Sequence, residues 1–150
     1  MELNLFTDEY FMKEALREAK KAAEEDEVPI GCVVVCNNRI IARAHNLTET
    51  LNDITAHAEM QAITAASNHL GSKYLNECTI YITLEPCLMC AGALRWAQIG
   101  RIVYGASDKK YGFGRYIETI THPKTQVSGG VMAEECSLIL SNFFKKKRMK

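Results

Sequence analysis

The sequence predicts an α/β fold: a central sheet of about five strands with a β-hairpin at its edge, covered by helices in layers. Three observations support this. Segments with helical periodicity alternate along the chain with short runs rich in β-branched residues. The runs CTIYITL and RIVYGA have strand composition and are too short for helices. Between GCVVVC and RIIARA stands Asn37-Asn38, and asparagine tolerates the left-handed backbone of a tight hairpin turn.

The elements follow in order. TDEYFMKEALREAKKAAEEDE predicts an amphipathic first helix. Thr7 is placed to cap it, Asp8 and Glu9 suit its positive end, and Phe11, Met12, Ala15, Leu16, Ala19 and Ala23 form the buried stripe. Pro29 and Gly31 end that pattern before the hairpin. TAHAEMQAITAASNHL predicts a second helix stopping at Gly71. After the strand CTIYITL comes a third helix, PCLMCAGALRWAQ, with Pro86 in its first turn. RIVYGA is the next strand, DKKYGFGRY a glycine-punctuated loop and THPKTQVSGG irregular. VMAEECSLILSNFFKKKR closes the chain as a helix. With no internal repeat, low-complexity tract or linker, residues 1–150 are expected to form a single domain.

Composition narrows the function classes. No basic segment followed by an apolar one marks the start, and the apolar runs CVVVC and LIL are far too short to span a bilayer. The expectation is a soluble cytoplasmic protein with no membrane association. Six cysteines without an export signal argue against a disulfide framework. Four of them, Cys32, Cys36, Cys78 and Cys136, read as small core hydrophobes. The net charge is zero but unevenly spread. Residues 1–27 hold nine acids and four bases, whereas 141–150 (SNFFKKKRMK) hold five bases and no acid. That tail suits the negative end of a helix, and it also suits a nucleic-acid contact.

The remaining cysteines, Cys87 and Cys90, form a Cys-x-x-Cys pair, which serves redox couples, structural zinc sites and catalytic metal sites alike. A spacing of three puts both on one helical face, and a helix N-terminus favours the thiolates that ligate zinc. His57 opens the preceding helix, so all three side chains are expected at one edge of the sheet. Structural zinc normally takes four protein ligands, while catalytic zinc takes three and leaves a position for water. His45, His69 and His122 stand at no companion spacing to a cysteine, which leaves His57, Cys87 and Cys90. Glu59, two residues after His57, is the carboxylate that hydrolytic deamination needs to move protons from water to a leaving amine. His57-x-Glu59 followed by Pro86-Cys87-x-x-Cys90 is the arrangement of zinc-dependent nucleobase deaminases, a far more specific signal than either half by itself.

The stretches EVPIGCVVV, AHN at 44–46, DITAHAEM, YITLEPCLMCAGAL, RIVYGASDKK and the closing EEC…FFKKKR resemble bacterial tRNA-specific adenosine deaminases, from about Glu9 to Arg148. The resemblance implies a cytidine-deaminase-like three-layer α/β/α fold around a mixed sheet. It also implies one Zn2+ per subunit, a homodimer, and hydrolysis of the wobble adenosine of a tRNA anticodon stem-loop to inosine. By matching position, His57, Cys87 and Cys90 bind zinc and Glu59 shuttles protons as water attacks C6. Asn46 binds the purine, Val28, Ala58 and Leu84 line the base pocket, and Asp108 lies near the flipped-out strand. After Lys110 the chain departs from the family pattern with the shorter, bulkier YGFGRYIETITHPKTQVSGG. Lys109, Lys110 and Arg115, with the rings of Tyr111, Phe113 and Tyr116, supply cations and stacking surfaces for RNA. Phe144, Lys145, Lys146 and Arg148 of the tail add to these. No other protein partner is evident. Two alternatives stay open: a zinc deaminase of free nucleobases or nucleosides (guanine, cytosine, cytidine), and a non-catalytic RNA-binding zinc domain.

Overall fold

The computed structural model describes residues 5–149. Helix α1 (Asp8–Glu24) leads into the hairpin of β1 (Gly31–Cys36) and β2 (Arg39–His45). Then follow α2 (Ala58–Leu70), β3 (Cys78–Leu84), α3 (Leu88–Trp96) and β4 (Arg101–Ala106). A 3-10 turn at Gly114–Tyr116 continues into the short α4 (Ile117–Ile120), then β5 (Gln126–Ser128) and α5 (Ala133–Arg148). The five strands form one open sheet in the order β2-β1-β3-β4-β5. β1 pairs antiparallel with β2 and β3, while β3, β4 and β5 run parallel. The mixed α/β/α architecture expected from the sequence is the one observed.

Local chemistry sets the elements. Thr7 Oγ1 accepts the Tyr10 N–H at 3.1 Å and caps α1. Asn37 and Asn38 both take left-handed backbone, at φ 53° and 61°, as a two-residue hairpin turn requires. Gly71, left-handed at φ 65°, ends α2. Because successive strand residues face opposite ways, β1, β3 and β4 each feed two cores. Val33, Val35, Tyr81 and Val103 pack with Phe11, Met12, Ala15, Leu16 and Cys136 under α1 and α5. Cys32, Val34, Ile80, Ile82 and Ile102 pack with Ala58, Ala62, Ala66, Ala91 and Leu94 under α2 and α3. Cys32, Cys78 and Cys136 are buried and Cys36 half-buried, in keeping with packing roles. Among the described residues, no helix is long and apolar enough to cross a membrane.

Several expectations shift. Ala22, not Ala23, completes the buried stripe of α1, and the charged Glu18 is buried with it, since positions 11, 15, 18 and 22 fall along one helical line. α2 begins at Ala58 with His57 as its extended N-cap, and α3 begins at Leu88 with Cys87 in the same role. Pro86 therefore precedes the helix, and its carbonyl accepts the Phe113 N–H at 3.0 Å instead of a helical partner. Residues 126–128, expected to be irregular, add a parallel edge strand to β4. Three residues are too few to show a period of two. Phe113, expected to stack on RNA, is fully buried edge-to-face on Tyr104 at 6.0 Å, so its ring is core.

Candidate active site and metal centre

Strand direction gathers the site. Antiparallel pairing places the start of β1 and the end of β2 (Gly31 opposite His45) beside the end of β3, and parallel pairing brings the end of β4 to the same edge. Everything that flanks those strand ends meets there: Val28 before β1, Asn46 after β2, the start of α2, the start of α3, and Asp108 beyond β4.

At this edge the N-termini of α2 and α3 converge. His57 Nδ1 lies 3.7 Å from Cys87 Sγ and 3.4 Å from Cys90 Sγ, and the three ligand atoms all fall within 4.8 Å of one another. A nitrogen and a sulfur on one tetrahedral zinc, bonded at about 2.0 and 2.3 Å, stand about 3.5 Å apart. The donor set and its spacing therefore fit zinc, with one vertex left for a non-protein ligand. A hydrogen bond from the Cys90 thiol, with help from His57, draws the Cys87 thiol down to about 4 despite burial. The same bond to Cys87, followed by burial, pushes Cys90 up, and the bond with Cys87 raises His57. These shifts come mainly from hydrogen bonds within the His57–Cys87–Cys90 cluster, whose remaining protons a metal displaces on binding.

Glu59 lies on the first turn of α2 and is only 4% exposed. Burial is the main reason its carboxyl is pushed up to about 7, against the opposing pull of a bond from its own backbone N–H. A carboxyl poised there both takes and releases protons near neutrality.

The structure places the other candidates as follows. Asn46 is buried; its N–H donates to Ile30 O at 3.0 Å and its amide to Thr48 Oγ1 at 3.4 Å. Ala58, fully buried, belongs to the core under α2 and α3, whereas Leu84, half-buried at the end of β3, packs against the core under α1 and α5. The Asp108 carboxylate is engaged by its own turn, accepting the Lys110 and Tyr111 N–H groups at 3.1 and 3.0 Å. Lys109, Lys110 and Arg115 are exposed, as are the rings of Tyr111 and Tyr116. The tail approaches the same edge. Phe143, Phe144 and Lys147 line a recess of about 570 Å³ together with Val28, Glu49 and Thr50, and Lys147 pairs with Asp26 at 2.7 Å. Lys145 and Arg148 are exposed, while Lys146 lines a groove of about 850 Å³ between α1 and α5 on the other sheet face.

Two supporting residues escaped the sequence reading. The Gln61 amide donates to His45 O at 2.8 Å and to Ala56 O at 3.1 Å, tying the end of β2 to the segment that delivers His57. Its position four residues after His57, on the same helical face, was the available signal. Glu27, with no exposed surface, accepts the N–H groups of Glu49 and Thr50 at 3.0 and 2.6 Å and so anchors the loop after Asn46. Burial opposes its charge, but these bonds and one from the Thr50 hydroxyl hold the carboxyl below its ordinary value. Nothing in the acidic run EEDE distinguishes it from solvated neighbours.

Comparison with known proteins agrees with this geometry. Residues 6–106 match the family model described as the cytidine and deoxycytidylate deaminase zinc-binding region. The tRNA-specific adenosine deaminase of Bacillus subtilis (strain 168) is 48% identical over 149 residues, spanning 95% of this chain and 92% of that protein. A solved structure from work on A-to-I editing by tRNA:A34 deaminases at the wobble position superposes with a TM-score of 0.83 at 45% identity, covering 87% of this chain and 99% of that one. A guanine deaminase from Bacillus subtilis superposes at 0.66 with 34% identity, over 78% of each chain.

Proposed function

The chain belongs to the cytidine and deoxycytidylate deaminase zinc-binding family, and on that premise we propose that it hydrolyses the wobble adenosine of a tRNA anticodon to inosine and ammonia. The observation that carries this reading is the 48% identity to a tRNA-specific adenosine deaminase across 95% of the chain. His57, Cys87 and Cys90 hold zinc, which when bound supplies the Lewis acid that makes water nucleophilic at neutral pH. Glu59 takes one proton from the attacking water and passes it to the ring nitrogen as oxygen adds at C6. It then carries the proton of the new C6 hydroxyl to the amine, which leaves as ammonia while C6 becomes the carbonyl. The buried Asn46 amide orients the purine and the Ala58 methyl closes the pocket floor, with Val28 as further lining, while Leu84 backs the site from the core under α1 and α5. The target base reaches this edge by leaving its stack. Asp108, Lys109, Lys110 and Arg115 on one side, and Phe144, Lys145, Lys146 and Arg148 on the other, grip the splayed loop through phosphates, ribose and stacking.

The whole chain works as one deaminase domain and acts in the cytoplasm, where its substrate is. A second copy covers the outer face of α3. There Leu88, Met89 and Trp96 are 45%, 37% and 82% exposed on one helical stripe, with Leu51 and Ile54 exposed on the loop before α2. Deamination of free bases is the second reading, favoured by the likeness to a guanine deaminase. One experiment separates them: zinc-loaded protein is incubated with an anticodon stem-loop carrying the wobble adenosine, and in parallel with free adenine, guanine and cytosine, and inosine and ammonia are measured. Inosine is expected from the RNA alone, with KM rising steeply as salt is added because phosphate contacts release counterions. Turnover confined to free bases overturns the RNA reading.

A further inference from the structure

We propose that Glu85 is a positioning residue for the RNA substrate: its buried carboxylate fastens the segment 107–114 to the turn that carries the zinc-binding cysteines. The inference rests on the RNA reading above and names a residue that reading does not use. Glu85 follows β3 directly, two residues before Cys87, and is 7% exposed. Its Oε1 accepts the Asp108 N–H at 3.0 Å and its Oε2 accepts the Gly114 N–H at 2.7 Å. Among the described residues no lysine or arginine pairs with it. Backbone N–H groups from both ends of one loop therefore take the place of a cation, and buried charge needs such partners.

The loop is shaped to close over this carboxylate. A Cβ at Gly112 would overlap the Glu85 carboxylate and the Asp108 carbonyl, and one at Gly114 would press on Glu85 Oε2 at 3.0 Å. Between these glycines Phe113 is driven fully into the core, and Gly112 forms an isolated bridge with Cys87. With Asp108, Gly112, Phe113 and Gly114 all pinned, Lys109, Lys110 and Tyr111 are the residues pushed outward. The stretch YGFG thus becomes a platform that holds the cationic tip beside the metal-binding turn. Only a carboxylate accepts at both oxygens; an amide in its place turns a donor toward one of the two N–H groups.

The test compares zinc-loaded wild type, Glu85→Gln and Gly112→Ala on an anticodon stem-loop, with zinc content and amide exchange measured alongside kinetics. Both variants are expected to raise KM about tenfold, the cost of about one hydrogen bond to a charged group. Both should keep kcat within about twofold and retain wild-type zinc content. In both, exchange at the Asp108 and Gly114 amides should quicken. Gly112→Ala leaves Glu85 intact and decides the question if Glu85→Gln does not fold. An unchanged KM, or kcat and zinc content falling together, overturns the proposal and makes Glu85 a support of the metal turn alone. If wild type makes no inosine from RNA, the functional reading fails, and the exchange rates alone decide whether Glu85 holds the loop.

Discussion

Two demands meet at Glu59: it must be dry enough to hold a proton near neutrality and close enough to the metal site to use it. Burial meets the first and puts its carboxyl at about 7; a position two residues beyond His57, at the mouth of a helix, meets the second. Glu59→Ala is expected to bind zinc at the wild-type level while turnover falls by about 10²- to 10⁴-fold, the usual worth of a positioned acid–base. Metal analysis and single-turnover inosine formation check this, and activity close to wild type would remove Glu59 from the mechanism. Cys87→Ser should behave oppositely and lose zinc and activity together, because the low-lying Cys87 thiol is the ligand most ready to bind metal. Retention of stoichiometric zinc by this variant counts against the ligand assignment. At this scale the His-x-Glu and Cys-x-x-Cys spacings were legible because each pair joins a helix N-cap to the first turn that follows it. Glu27 and Glu85 were not, since each acts on backbone groups of a distant loop, and no local pattern encodes such a partner.

Between elements, the N-terminus of α1 is tied to the sheet by one acidic side chain. Asp8 accepts two hydrogen bonds from Arg101 at 2.9 and 2.8 Å and one from the Tyr81 hydroxyl at 2.9 Å. The Arg101 bond is the main reason its carboxyl lies below the ordinary aspartate value. A carboxyl depressed in the folded state contributes stability above its unfolded value, about 3.9, and loses it as pH falls through the lower folded value. Wild type should therefore be more stable than Asp8→Asn at neutral pH, with the gap closing below about pH 4. Urea unfolding across that range measures it, and a gap independent of pH sinks the assignment. Because Asp8 and Arg101 are partly exposed, the effect is modest. The sequence placed Asp8 as a helix-end acid; the partner 93 residues away came only with the fold.

For the molecule as a whole, the exposed α3 stripe is the feature that a lone subunit leaves unexplained. Trp96→Glu is expected to convert a dimer into a monomer without loss of zinc, read by light scattering at micromolar concentration. Identical masses for variant and wild type would exclude that face as the contact. The layered architecture was legible because β-branched runs and helical stripes alternate plainly, as in RIVYGA after PCLMCAGALRWAQ. β5 and α4 escaped because three- and four-residue elements hold no period, and Phe113 was misplaced because an aromatic in a glycine-rich loop reads as exposed until Tyr104 is beside it.

The sequence alone pointed to the metal site: His57, Cys87 and Cys90 supply three ligands with the Glu59 carboxylate on the same short motif as His57, because each motif spans only a helix N-cap and its first turn. Tertiary structure decided what surrounds that chemistry. Strand order and direction brought five chain segments to one sheet edge. Burial tuned Glu59 and selected Phe113 for the core, and the Glu85 carboxylate fixed how the cationic loop faces the metal turn. Those outcomes depend on desolvation and on hydrogen bonds between residues far apart in the chain, which exist only once the sheet has formed.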